Sequence, residues 1–388
     1  MDYAENPVHA DIRAAVREMC KRFPDEYWME HDNSHEFPWE FYEAVREAGW
    51  LGLTIPEEHG GGGLGVTEAA IVEQEIAASG AGMGGCSAVH IGIFGFHPII
   101  EHGSESLKKR FLPEAVSGDL HVSFAVTEPD AGTDTTNIST FAQKVEGGYV
   151  VNGKKVWITK AQEAQRMLLL CRTSRREPGG RRTAGMTLLF APIDRDHVQI
   201  RPIPKMGRNA VDTNELFIDD LFVPDEDVVG EEGHGFRTIL GGLNAERVIS
   251  ANAALGIGKA ALRRGTEYAK QREVFGRPIG KNQGIAFQLA EAQIRLDAAE
   301  QMVQKAAWMV DQGLPCGREA NAAKFLCAEA GFYAADVALQ VHGGFGYGKE
   351  YHVERYFREA RLMRIAPISQ EMVLNYTAEH VLGLPRSY

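Results

Sequence analysis

From Ile285 the apolar and small residues Leu289, Ala292, Leu296, Ala299, Val303, Ala306 and Val310 recur in steps of four and three. That spacing keeps one stripe of an α-helix apolar for about seven turns. A stripe of that length must be buried against other helices, which commits this part of the chain to a bundle. Pro315 marks the exit of the helix, and a second helical pattern runs from about Glu319 to Val341. A glycine-rich turn, His342 to Gly348, and an amphipathic tail complete the chain.

Upstream the period changes. Between Leu120 and Val223 the runs Met167–Arg172, Met186–Pro192, His197–Arg201 and Glu215–Val223 read as strands. Tight turns are expected at Glu146-Gly147-Gly148 and at Asn152-Gly153, the second being the strongest short hairpin signal a sequence carries. Ser174–Thr183, polar and containing Gly and Pro, reads as an exposed loop. Before the strands, Ile12, Val16 and Met19 form one helical stripe and Phe41, Val45 and Ala48 another, with Gly49 ending the second helix and a further helix from Thr67 to Ala78. A chain of 388 residues exceeds the usual size of one core. The order therefore predicts an α+β protein with an N-terminal α-helical domain over 1–120, a β-barrel or sandwich over 121–232 and a C-terminal four-helix bundle over 233–388.

Composition narrows the function. A net charge of −12 opposes a nucleic-acid surface, which needs clustered cations. The Lys108-Lys109-Arg110 run and the Arg175-Arg176 and Arg181-Arg182 pairs read as solvated faces. Five scattered cysteines, none spaced as C-x-x-C, are expected to be reduced thiols in a cytoplasmic protein with no metal site. No leader is read at Met1-Asp-Tyr-Ala-Glu, and the apolar run Ala88–Ile100, interrupted by His90 and His97, is expected to be a buried helix too short for a membrane. Gly80, Gly82 and Gly85 match G-x-G-x-x-G but follow a helix rather than a strand, so no dinucleotide site is read there.

The stretch Phe124-Ala-Val-Thr127-Glu128-Pro129-Asp130-Ala131-Gly132-Thr133-Asp134 turns from an apolar strand into a loop of hydroxyls and small residues, suited to a polyoxygenated ligand. Val156-Trp157-Ile158-Thr159 again ends a strand on an aromatic and a hydroxyl, and Arg272-Glu-Val-Phe275-Gly276-Arg277-Pro278-Ile279 pairs cations with an aromatic. Together the three, in this order, resemble the acyl-CoA dehydrogenase family, whose signatures read T-E-P-x-A-G-S-D, W-I-T and R-x-x-F-G-x-P-I. Asp130 stands where the family usually has Gly, and Lys160-Ala-Gln replaces the usual Asn-Gly.

The resemblance implies FAD as cofactor. Phe124, Val126 and Thr127 would lie at the flavin ring, Thr133 at the pyrophosphate, Trp157 beside the ring and Thr159 at its N5. A core aromatic is the alternative for Trp157. Arg272, Phe275, Gln283, Gln340, Val341, Gly343 and Gly344 would reach the nucleotide held by a neighbouring subunit of a homotetramer built as a dimer of dimers. The family's usual base, the Glu of an E-G-T triplet, aligns with Pro367, which takes no proton and offers no backbone N–H, so the donor to the thioester carbonyl would have to come from a neighbour such as Ile368. Isovaleryl-CoA dehydrogenase and long-chain relatives carry the base in L-x-x-E-R instead, and here Leu243-Asn244-Ala245-Glu246-Arg247 fits. Glu246 is thus the expected base, with a pKa raised by desolvation; a solvated helix carboxylate is the alternative. Thr133, Asn244 and Arg247 fall on the substrate side.

The implied reaction is α,β-desaturation of a branched or longer acyl-CoA to the trans-2-enoyl-CoA, with electrons leaving to an electron-transfer flavoprotein and neither nucleic acid nor membrane as partner. The runner-up is a flavin monooxygenase or reductase on the same scaffold, and a third reading is a non-catalytic acyl-CoA or nucleic-acid binding module.

Overall fold

The computed structural model describes residues 6–177 and 179–387, so the expectation about residues 1–5 lies outside the described residues. Seven helices come first: α1 (Pro7–Cys20), α2 (Asp25–Ser34), α3 (Trp39–Glu47), α4 (Val66–Ile76), α5 (Gly82–His90), α6 (His97–His102) and α7 (Glu105–Ser117). Where two helices were expected before Gly49 there are three, because Pro24 and Pro38 sit at the starts of α2 and α3 and neither can continue a preceding helix.

Wide turns at Ala77–Ala81 and Ile91–Gly95 link α4, α5 and α6 into one helical path. This corrects the reading of Ala88–Ile100 as a short run: Val66–His102 is long and apolar enough to cross a bilayer by length and composition, but 61% of its apolar window is buried inside the fold. Gly80 and Gly82, at φ +115 and +55, make the corner between α4 and α5, so the glycine repeat is a helix junction.

The strands are β1 (Val122–Ala125), β2 (Phe141–Val145), β3 (Gly148–Thr159), β4 (Arg166–Arg172), β5 (Met186–Pro192), β6 (Val198–Pro202), β7 (Thr213–Pro224) and β8 (Val228–Val229). They form one sheet in the order β6-β7-β3-β2-β4-β5-β8, with β1 parallel to β4. Strand β4 explains its own unbroken apolar run. Met167, Leu169 and Cys171 face the interior of the β domain, while Leu168 and Leu170 face Leu107, Leu112 and Ala115 of α7. Both faces are covered, so alternation with polar residues is lost.

The hairpin expected at Asn152-Gly153 is absent. The β2–β3 turn closes at Glu146-Gly147, with Val145 paired to Gly148, and β3 runs straight through Asn152. The Asn152 side chain accepts from Asp220 N and donates to its carboxylate, both at 2.9 Å, beside a bulge against β7. A Cβ on Gly153 would lie 2.4 Å from Thr140 Oγ1, so the glycine permits strand crowding and makes no turn.

The remaining elements are α8 (Gly235–Gln271), a hairpin of β9 (Glu273–Val274) and β10 (Arg277–Pro278), α9 (Gln283–Asp311), α10 (Gly317–His342), α11 (Val353–Leu362) and α12 (Gln370–Tyr376). The α9 seam is buried at Ala292, Leu296, Ala299, Val303 and Ala306, as its spacing predicts. Helices α8 and α10 approach closely because Gly331 has no side chain: a Cβ there would stand 2.4 Å from Ala254 O. One core runs without a break from Val16 and Trp28 through Val72 to Leu255, Ala299 and Ala334. A buried Asp25 carboxylate ties the N-terminal helices to the bundle through Arg355 at 2.9 Å, Tyr356 and Arg264.

Candidate active site

The site begins where β1 ends. Lys155, fully buried on β3, donates to Val126 O at 2.9 Å, Leu170 O at 2.7 Å and the Glu128 carboxylate at 2.9 Å. An ammonium cut off from water costs several kcal/mol unless such acceptors surround it. Glu128 also accepts from Ser139 N and Oγ and from Thr140 N at 2.6, 2.8 and 3.0 Å. This clasp fixes the stretch after β1, and Thr127 O accepts from Val156 N at 3.0 Å. Val126, Thr127, Trp157 and Thr159 therefore share one edge. Phe124 lies half-buried beneath it, packed on the core. Gly132 does not adopt the left-handed backbone; space is open where its Cβ would project.

Trp157 is not a core aromatic. It is 58% exposed, at φ 64, where the β3 register slips against β7 between Lys155 and Ile158. A bulky residue held in the left-handed region on a bulge, with its ring in the open, contributes little to its own fold.

Beside it, Thr159 Oγ1 accepts from both terminal nitrogens of Arg208 at 3.3 Å. With its lone pairs turned to a guanidinium, the hydroxyl hydrogen is free to donate outward. Arg208 also donates to Ser87 Oγ at 3.1 Å, and Ser87 lies on α5. One turn further along α5, His90 Nε2 meets both oxygens of Glu246 on α8, at 2.9 and 3.0 Å. The other ring nitrogen, Nδ1, faces the Glu73 carboxylate of α4 at 3.4 Å.

Glu246 is only partly exposed and paired with a histidine, and its pKa is not raised, contrary to both expectations. Burial pushes its carboxyl upward, but the charge and hydrogen bond of His90 outweigh burial and hold it below its ordinary value. Burial likewise acts against the His90 cation, and the two carboxylates override it, leaving the imidazole well above its usual pKa. A side chain 28% exposed beside an imidazolium is an ionised carboxylate with a face left open.

At the opposite end of α8 from Glu246, Arg272, Val341, Gly343 and Gly344 line a cleft of about 590 Å³ with Tyr268 and Phe345. Arg272 lies 5.6 Å over the Phe345 ring, and nothing stands within 4 Å of where a Cβ would be on Gly343 or Gly344. Phe275 and Gly276, at φ 56 and 71, form the two-residue turn of the β9–β10 hairpin, and Phe275 is 99% exposed at its tip. Gln283, Gln340 and Thr133 are exposed and outside the cleft lining. Asn244 and Arg247 bond each other at 2.7 Å, and Arg247 lies in the field of Tyr376 and Cys316, on a different face of α8 from Glu246. Pro367 is exposed.

Sequence reasoning missed His90, Glu73 and Arg208. A histidine inside an apolar helix was the available signal, since such a group needs a buried partner.

The helical bundle and the sheet that carry a hydroxyl at Thr159, an open aromatic at Trp157 and a carboxylate at Glu246 are those of a flavoprotein oxidoreductase class, which the comparisons with known proteins identify. The models for the N-terminal, middle and C-terminal domains of acyl-CoA dehydrogenase match residues 6–119, 123–221 and 233–382. The chain belongs to the acyl-CoA dehydrogenase family. It is 38% identical to acyl-CoA dehydrogenase FadE12 of Mycobacterium tuberculosis over 388 residues, all of this chain and 99% of the relative. The glutaryl-coenzyme A dehydrogenase glutaryl-CoA complex superposes with a TM-score of 0.90 at 30% identity, covering 100% of this chain and 98% of that one. The FAD complex of PigA does so at 0.92 and 25% identity, covering 99% and 100%.

Proposed function

We propose that the protein is an FAD-dependent acyl-CoA dehydrogenase in which Glu246 removes the α proton of the thioester. The observation that carries this reading is the single turn of α5 between Ser87 and His90, about 4.5 Å of rise. Through Arg208 and His90 it links Thr159 and Glu246 to one helix.

The residues present fit FAD: an open Trp157 face, an outward hydroxyl at Thr159, bare backbone at Gly343 and Gly344, and Arg272 for the pyrophosphate. When bound, FAD supplies the acceptor for the β hydride. Everything else falls to the chain. Thr159 donates toward the ring edge, and Trp157 closes the cleft beside it. Glu246, ionised in the resting enzyme, takes the proton on the lone pairs that His90 leaves free. Placement of the base on α8 favours branched or longer acyl chains. Phe275, presented at a hairpin tip, fits the reading that nucleotide sites are shared between subunits of a homotetramer. An electron-transfer flavoprotein, acting in the cytoplasm, is the proposed acceptor of the electrons.

Anaerobic mixing of the FAD-loaded protein with a panel of acyl-CoAs tests this. Bleaching of the flavin by one of them supports the dehydrogenase; an oxidised flavin with every chain, but reduced by a nicotinamide nucleotide, would favour the monooxygenase or reductase.

A further inference from the structure

Building on the reading of Glu246 as base, we propose that His90 is its positioning residue, a cation clamped between Glu246 and Glu73 that fixes the carboxylate and keeps it ionised until substrate arrives. Three elements meet there. Glu73 comes from α4, His90 from the last residue of α5 and Glu246 from α8, the last two 156 positions apart in sequence. A carboxylate carries about four lone-pair sites, and one N–H lying 2.9 and 3.0 Å from its two oxygens engages one side of the group only. The opposite side stays open for the Cα–H.

The backbone supports this placement. Directly after His90 the helix widens over Ile91–Gly95, and Thr54 Oγ1 caps the Ile93 carbonyl at 2.6 Å. Wide turns of this kind aim side chains that a regular helix would not. Glu73 is 1% exposed, and its Oε1 makes no hydrogen bond; the His90 Nδ1 facing it at 3.4 Å is its ion-pair contact. A buried carboxylate so placed holds the second proton on the ring, which makes His90 a donor to Glu246 rather than an acceptor competing for its proton. Glu246 and Glu73 are the charged groups that act on His90 among the described residues, and His90 is the one that acts on Glu246.

The sign of the effect follows. Without His90 the upward push of burial on Glu246 is unopposed, so the acid limb of kcat/KM moves to higher pH. Without the Glu73 charge the imidazolium loses one of its two partners, so the alkaline limb moves to lower pH.

The experiment is a pH series of kcat and KM on the flavin-loaded protein, its His90→Gln and Glu73→Gln variants, and Glu246→Gln as control. His90→Gln is expected to lower kcat about ten- to a hundredfold with KM within about threefold, as a misplaced reacting group does, and to shift the acid limb upward. A purely structural role would leave the limb where it is. If Glu246→Gln is inactive while the His90→Gln profile superimposes on the parent's, the positioning role is overturned. If Glu246→Gln stays active within a few fold, the base assignment itself fails. Should His90→Gln not fold, the alkaline limb of Glu73→Gln decides in the same way.

Discussion

Ser87 and His90 stand one turn apart on α5, the first bonded to Arg208 at 3.1 Å and the second to Glu246 at 2.9 Å. The group behind the proposed flavin donor and the group behind the proposed base are thus carried by one rigid element. Geometry that must hold to a fraction of an ångström is better kept by a helix than by two loops.

Thr159 tests the flavin side of that relationship. Thr159→Val keeps the shape but removes the hydroxyl that accepts from Arg208. Loss of one directed donor is expected to lower kcat about a hundredfold, and the Arg208 guanidinium left without that acceptor to cost about 1–3 kcal/mol of stability. Stopped-flow reduction of the flavin by an acyl-CoA measures the first.

Trp157 separates binding from folding. Its ring is 58% exposed and its φ of 64 suits glycine, so Trp157→Gly relieves strain of about 1 kcal/mol. The apoprotein is expected to melt no lower than the parent, while flavin is retained less well on dialysis. Calorimetry together with flavin absorbance distinguishes the two effects.

The Lys155–Glu128 clasp predicts a large loss. Lys155→Met leaves a buried carboxylate without its ion-pair partner, at a cost of about 3–5 kcal/mol. Although burial acts to raise the Glu128 carboxyl, Lys155 and the donors of Ser139 and Thr140 hold it below its ordinary value. Its contribution to stability is therefore present above its unfolded pKa and disappears as pH falls through the lower folded value. Denaturant titrations across that acid range should show the parent losing stability that Lys155→Met has already lost.

Much of this was legible in the sequence, and the remainder failed for physical reasons. The α9 seam is read from its helical periodicity, and the strands Met167–Arg172 and Met186–Pro192 from short continuous apolar runs, because local burial imposes both patterns. Asn152-Gly153 misled because its close approach to Thr140 is tertiary, and no dipeptide encodes a neighbouring strand. His90 looked like an interruption because its partner is 156 residues distant. The ionisation of Glu246 was misjudged for the same reason: burial is visible in an apolar pattern, whereas a cation folded against it is not.

Close helix contact supplies another check. Gly331→Ala puts a Cβ 2.4 Å from Ala254 O, and overpacking of this kind costs about 1–3 kcal/mol. Urea unfolding should show that loss with the flavin site intact. The neighbouring position Ala330, already carrying a methyl in the same core, should accept Ala330→Gly at about 1 kcal/mol.

The most direct measurement is anaerobic mixing of Glu246→Gln, loaded with FAD, with the acyl-CoA that bleaches the parent's flavin fastest. The account predicts a stable enzyme–ligand complex whose flavin stays oxidised, with reduction slowed by at least about a thousandfold. Reduction at a rate within a few fold of the parent's would contradict it, because the proton would then be leaving by way of another group.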